Sequence, residues 1–362
     1  MKIGDTHYRS VWLDADGWSV RIFDQTLLPW RVQQLRLTDE HQVAEAITTM
    51  RVRGAPLIGA VAAYGLALAV RRDPSDAAME AAAAMLGATR PTAINLRWAL
   101  EKMLAALRNQ PRDTRATIAY QVAADICDDD VATCRSIGEH TLPLIRAAAA
   151  KGRANILTHC NAGWLATVDY GTALSGIFQA HDAGIPVHVW VDETRPRNQG
   201  AALTAFELAA HGVPHTLIAD NAGGHLMQHG QVDMCIVGTD RVTRQGDVAN
   251  KIGTYLKALA ARDNDVPFHV ACPHSTIDWR VRDGVAEIPI EERGEAEVTD
   301  MTGQLQDGTV ARMRIANPGT RAANPAFDVT PARLVTSIIT ERGTCPASQA
   351  GLELLYPEHA AR

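Results

Sequence analysis

The chain has 362 residues, 46% hydrophobic and 21% charged, a globular composition that excludes a disordered or fibrous protein. Its 35 Lys and Arg stand against 41 Asp and Glu, a net charge of −6 spread along the chain, so neither a nucleic-acid polymer nor a membrane surface is the expected partner. Six cysteines without a CxxC pair point away from a zinc ribbon or a secreted disulfide scaffold and toward a reducing, cytoplasmic setting.

In chain order, β-type runs at 11–13 and 20–23 flank the turn sequence Asp14-Ala-Asp-Gly17. From Thr38, a plausible cap residue, the pattern becomes helical, at 40–50, 57–69, 75–86, 93–107 and a long stretch from Thr114. The longest uncharged run, 54–70, contains three glycines and a proline and reads as a buried helix rather than a membrane span.

After Gly152 short apolar runs recur at 155–158, 186–191, 215–219, 233–237 and 267–271, with helix-compatible segments at 171–181, 201–210 and 251–261 between them. Such alternation is the signature of βαβ crossovers and a mostly parallel sheet. The expected architecture is α/β in two domains: residues 1–150, mainly helical with a small β element, and residues 151–362, built on the sheet. A charged excursion at 281–312, with short extended pieces at 288–293 and 297–301, interrupts the rhythm. Pro331 is expected to open a last helix through Thr340, with Gly343 as its stop.

A parallel sheet binds ligands beyond the carboxyl ends of its strands, so the residues after each run carry the chemistry. The first run ends in Thr158-His-Cys-Asn-Ala-Gly163, which puts Cys160 in a turn where it can meet substrate; a packed small hydrophobe is the competing reading. His159 should point to the opposite face, so no Cys–His nucleophilic pair is implied. The fourth run ends in Gly238-Thr-Asp-Arg241, where burial would raise the pKa of Asp240 and make it a proton donor, unless it forms a structural pair with Arg241. Arg53-Gly-Ala-Pro56, Arg90-Pro-Thr92 and Asn250-Lys251 each precede or begin a helix, a placement suited to phosphate, and Arg195-Pro-Arg197-Asn-Gln199 adds donors. A small phosphorylated ligand is therefore expected. GxGxxG after the first strand run of the sheet and GxxxxGK[ST] are both absent, which argues against a nicotinamide dehydrogenase and a P-loop NTPase. His225 and His229 have i,i+4 spacing without HExxH and read as ordinary polar helix residues.

Arg53-Gly-Ala-Pro-Leu-Ile-Gly59, Thr158-His-Cys-Asn-Ala-Gly163, Glu193-Thr-Arg-Pro196, Gly238-Thr-Asp-Arg241 and Gly246-Asp-Val-Ala-Asn-Lys-Ile-Gly-Thr-Tyr255 together resemble the S-methyl-5-thioribose-1-phosphate isomerase family. That family shares its fold with the regulatory alpha, beta and delta subunits of translation initiation factor 2B. Pro289-Ile-Glu-Glu-Arg293 and Asn324-Pro-Ala-Phe-Asp-Val-Thr-Pro-Ala-Arg333 extend the likeness over almost the whole chain. The resemblance implies a Rossmann-like sheet domain and an aldose–ketose isomerase of methionine salvage that converts methylthioribose 1-phosphate to methylthioribulose 1-phosphate. It implies Cys160 and Asp240 as catalytic residues, with Arg53, Gly54, Ala55, Arg90, Gln199, Asn250 and Lys251 contacting the sugar phosphate. Neither cofactor nor metal is expected. A homodimer is, with the apolar Leu334, Val335, Ile338 and Ile339 of the last helix offered as a contact. Thr239 stands where the family usually has Ala, and Leu57 where Ala is common; neither change removes a functional group. The competing readings are an isomerase of 5-deoxyribose 1-phosphate or ribose 1,5-bisphosphate, and a non-enzymatic translation-factor subunit, which Cys160, Asp240 and Gln199 disfavour.

Overall fold

The structure is a computed structural model that describes residues 2–90 and 93–360. Its first part is a three-stranded antiparallel sheet, Val11–Leu13, Val20–Phe23 and Gln34–Leu37, followed by helices α1 (Glu40–Thr48), α2 (Ala55–Arg72), α3 (Asp76–Ala88), α4 (Ile94–Leu107) and α5 (Arg112–Ala148). Asp39 caps α1 by accepting from Gln42 N at 2.9 Å, and Ser75 caps α3. The strand at Gln34–Leu37 was not expected from the sequence. In α2 the residues from Ala55 to Val70 are all buried except Pro56, because α1, α3, α4 and α5 surround it. It is long and apolar enough to cross a membrane, and the fold uses it instead as the axis of its helical core.

The expected parallel sheet has seven strands: β1 (Ala154–Thr158), β2 (Val187–Asp192), β3 (His215–Ile218), β4 (Met234–Val237), β5 (Phe268–Ala271), β6 (Ser337–Thr340) and β7 (Gly343–Cys345). Their spatial order is β7-β6-β5-β4-β1-β2-β3, parallel throughout except for the β6–β7 pair. This is the Rossmann-like doubly wound order with an antiparallel strand added at one edge. The order reverses between β1 and β4, which pair through Leu157 and Cys235, and a crevice opens beyond the carboxyl ends of these two strands. Cys160 and Asp240 follow them directly.

Three expectations need correction. Residues 331–340 are not a helix: a short turn at Ala332–Leu334 leads into β6, which runs parallel to β5. Ile338 and Ile339 are fully buried and belong to different cores, as neighbouring residues on a strand covered on both faces must. They are therefore not available as a pairing stripe. Asn250 and Lys251 do not begin a helix. They end the strand Val248–Lys251, which lies antiparallel between Arg241–Thr243 and Phe327–Thr330, and the helix starts at Thr254. In the charged excursion, 297–299 are helical rather than extended, and the extended structure is a hairpin of Asp300–Gln304 with Val310–Arg314.

Candidate active site

The turn after β1 holds Cys160 in the left-handed region, φ 65°, which costs a non-glycine residue about 1 kcal/mol or more. Two hydrogen bonds hold it there. Its backbone N–H donates to Thr194 Oγ1 at 2.8 Å and its carbonyl accepts from Thr204 Oγ1 at 2.7 Å. The thiol thereby leaves the plane of the sheet and donates to Gln199 Oε1 at 3.4 Å. His159 turns the other way, with Nδ1 at 2.8 Å from Asp192 Oδ2 and Nε2 at 2.8 Å from the Ile252 carbonyl.

Beyond β4, Thr239 Oγ1 donates to the Ala249 carbonyl at 2.7 Å, fixing the turn that presents Asp240 to the crevice. Asp240 is half-buried, enclosed by the crevice walls yet open to the cavity. Arg241 Nη1 lies 3.6 Å from Asp278 Oδ2, so this guanidinium is shared with a carboxylate other than Asp240.

The helical part closes the cavity from the opposite side. Gly54 precedes α2 with φ 91°, and a Cβ there would lie 2.4 Å from the Ala166 carbonyl, so only glycine allows this approach. No side chain caps α2, which leaves its first-turn N–H groups available to an anion. Arg53, 7% exposed, donates from Nη1 to Asn161 Oδ1 at 2.6 Å and from Nη2 to the Asn161 carbonyl at 2.7 Å. Lys251, equally buried, donates to the Ala326 carbonyl at 3.0 Å with its ammonium 4.5 Å from the Phe327 ring centroid. Asn250 Nδ2 donates to Thr254 Oγ1 at 3.0 Å. All nine residues singled out in the sequence, Arg53, Gly54, Ala55, Arg90, Cys160, Gln199, Asp240, Asn250 and Lys251, line this one cavity. Arg90 is at its rim; Pro91 and Thr92 of the same motif lie outside the described residues.

Burial raises the pKa of Cys160 and of Asp240. The positive charges of Arg53 and Lys251 oppose the rise at the thiol, and those of Lys251, Arg90 and Arg53 oppose it at the carboxyl. Burial likewise lowers Lys251 and Arg53, while Cys160 and Asp240 favour their charged forms. Three cations around a thiol and a carboxyl that tend to keep their protons make an electropositive cavity suited to a small phosphorylated molecule.

The sequence reading missed the rim. Glu291 Oε2 lies 3.3 Å from Arg90, Arg293 links Glu291 to Glu297 at 2.8 Å each, and Glu297 accepts from Arg197 at 2.6 Å. This chain of alternating charge ties the excursion 281–312 to Arg90, which lines the cavity, and to Arg197. It also missed Asp328, which accepts from Gly253 N at 2.7 Å and Tyr255 N at 3.1 Å and so fixes the turn after Lys251. His159, Asp192 and Asp220 come together in a way that could suit a metal ion, but the Lys257 ammonium already stands among them, 3.2 Å from Asp192 Oδ2 and bonded to the Asp220 carbonyl. His225 and His229 lie on and at the end of a surface helix, and His229 Nδ1 is bonded to the His225 carbonyl at 2.8 Å.

Comparison with known proteins follows the same lines. The initiation factor 2 subunit family matches residues 51–347. The methylthioribose-1-phosphate isomerase of Acidiphilium cryptum is 66% identical over 362 residues, covering 99% of each chain. Among solved structures, 5-methylthioribose 1-phosphate isomerase from Pyrococcus horikoshii OT3 superposes with a TM-score of 0.83 at 40% identity, covering 97% of this chain and 96% of that one. Subunit delta of translation initiation factor eIF-2B from A. fulgidus superposes with a TM-score of 0.80 at 36% identity, covering 97% and 100%.

Proposed function

Because the chain belongs to the initiation factor 2 subunit family, and within it to the methylthioribose-1-phosphate isomerases, we propose that the cavity between Cys160 and Asp240 is where its sugar phosphate is isomerised. The protein is an aldose–ketose isomerase of methionine salvage that converts S-methyl-5-thio-α-D-ribose 1-phosphate to S-methyl-5-thio-D-ribulose 1-phosphate. The observation that supports this location is the meeting of a thiol, a carboxyl and three cations in one crevice at the switch point of the sheet.

In this substrate the anomeric oxygen carries phosphate, so the ring cannot open by ordinary mutarotation. Opening needs a proton on the ring oxygen and stabilisation of the positive charge that develops at C1. We assign the proton to Asp240, whose burial favours the acid form. As the C1–O4 bond breaks, the C4 hydroxyl forms. Hydrogen then passes from C2 to C1 with its electron pair, discharging the C1 cation, and the carbonyl forms at C2 as the O2 proton leaves to the Asp240 carboxylate. Cys160 is assigned to assist this proton transfer, its thiol giving up a proton as it takes one up, so that it ends the step unchanged. Arg53, the first N–H groups of α2 and Lys251 hold the phosphate, with Arg90, Gln199 and Asn250 orienting the sugar.

The test is product identification. Purified protein given the methylthio sugar phosphate is expected to generate the C2 carbonyl signal of the ketose in ¹³C NMR; persistence of the furanose alone would reject the assignment. A cytoplasmic homodimer is part of the same reading, paired through a surface other than the Leu334 to Ile339 segment. Light scattering is expected to give twice the 39.1 kDa chain mass, and a stable monomer mass would remove the dimer alone.

A further inference from the structure

Glu207 lies behind the cavity without lining it, on the helix Ala205–His211, and is fully buried. Its carboxylate meets three donors: Asn161 Nδ2 at 2.9 Å, Trp164 N at 2.8 Å and Leu165 N at 3.1 Å. A carboxylate can accept all of these at once, whereas a carboxamide would turn its own N–H₂ against a donor. The space is reserved for it, since a Cβ at Gly163 would fall 1.8 Å from Glu207 Oε2.

These bonds decide which way Asn161 points. With Nδ2 held by Glu207 and by Thr204 Oγ1 at 3.1 Å, Oδ1 must face Arg53, where it accepts from Nη1. The same carboxylate fixes the turn at Trp164–Ala166, whose Ala166 packs against Gly54. Arg53 donates to the side-chain and main-chain oxygens of Asn161, both neutral, and the nearby negative charge of Glu207 favours its buried guanidinium. Both faces of the Arg53-Gly54 anion site thus lean on one buried side chain.

We propose that Glu207 is a positioning residue that acts through Asn161 on Arg53 and sets the affinity of the cavity for the phosphate group of the substrate. This rests on the cavity being the sugar-phosphate site. Burial pushes Glu207 up to about 7, against the pull of its three hydrogen bonds and Arg53.

The test is a double-mutant cycle on the full chain, with inorganic phosphate binding read by calorimetry in the parent, E207Q, R53A and the double variant. E207Q is expected to weaken phosphate about tenfold when Arg53 is present and less than twofold in the R53A background. Equal weakening in both backgrounds would mean general damage to the fold and would overturn the proposal, as would no weakening in either. If E207Q does not fold, N161A replaces it in the same cycle with the same expected and contrary results. Because binding is read without turnover, a failure of the assigned isomerase reaction leaves the cycle interpretable.

Discussion

The thiol of Cys160 and the side-chain oxygen of Gln199 face each other at 3.4 Å, joining the turn after β1 to the loop after β2. Burial keeps this thiol protonated, so it enters the contact as a donor. Cys160→Ser preserves a donor of similar shape but replaces a polarisable, more acidic group with a hydroxyl. A loss of turnover of about 10² or more, with unchanged melting temperature, is expected if Cys160 takes part in proton transfer. Unchanged turnover would return it to the role of a packed residue.

Asp240→Asn keeps the size of the protonated acid but cannot exchange its proton. Turnover is expected to fall by about 10²–10⁴ while the variant melts within about 3 °C of the parent. Near-normal kcat in the folded variant would remove Asp240 from the mechanism.

The active form of Asp240 for ring opening carries a proton, and burial raises its pKa above the ordinary carboxylate range. The value of kcat/KM is therefore expected to fall as pH rises through that raised pKa, with a limiting slope of about one log unit per pH unit. Stability has the same sign. Asp240 and Glu207, the latter pushed up to about 7, bind protons more tightly folded than unfolded, so each withdraws stability as pH rises through its folded pKa. A profile that rises with pH across the range where Asp240 loses its proton would contradict the donor role.

Both assigned proton-transfer groups are side chains and the rearrangement is redox-neutral overall. Exhaustive chelation is expected to leave turnover intact in protein that stays folded. A reproducible loss restored by one equivalent of a single metal would contradict this and direct attention to the cluster of His159, Asp192 and Asp220.

The parts of the molecule that local pattern encodes were legible. Apolar runs separated by helices gave the parallel sheet, and the rule that ligands bind beyond strand ends singled out Cys160 and Asp240, which line one cavity beyond β1 and β4. What failed depends on partners distant in sequence. Leu334, Val335, Ile338 and Ile339 have helical spacing, but a strand buried on both faces also reads as an unbroken apolar run, and the β-branched Val335, Thr336, Ile338, Ile339 and Thr340 favour the strand. Lys251 looked like a helix start because its own strand partner, Phe327, lies more than 70 residues away. Glu207 carried a signal that went unread: a single acid in the apolar segment 201–210 needs a buried partner. Glu291 was visible only as a member of the Pro289-Ile-Glu-Glu-Arg293 motif and Glu297 not at all, since charged loop residues reveal their ion pairs with Arg90 and Arg197 only in the folded chain.

The central claim is that this cavity isomerises the methylthio sugar. The most direct measurement is kcat/KM of the purified protein for methylthioribose 1-phosphate, 5-deoxyribose 1-phosphate and ribose 1,5-bisphosphate, with each product identified. The expected result is conversion of the methylthio sugar to its ketose with the highest kcat/KM of the three. Weak turnover of that sugar beside strong turnover of either other would contradict the substrate assignment, and no turnover of any would contradict the isomerase itself.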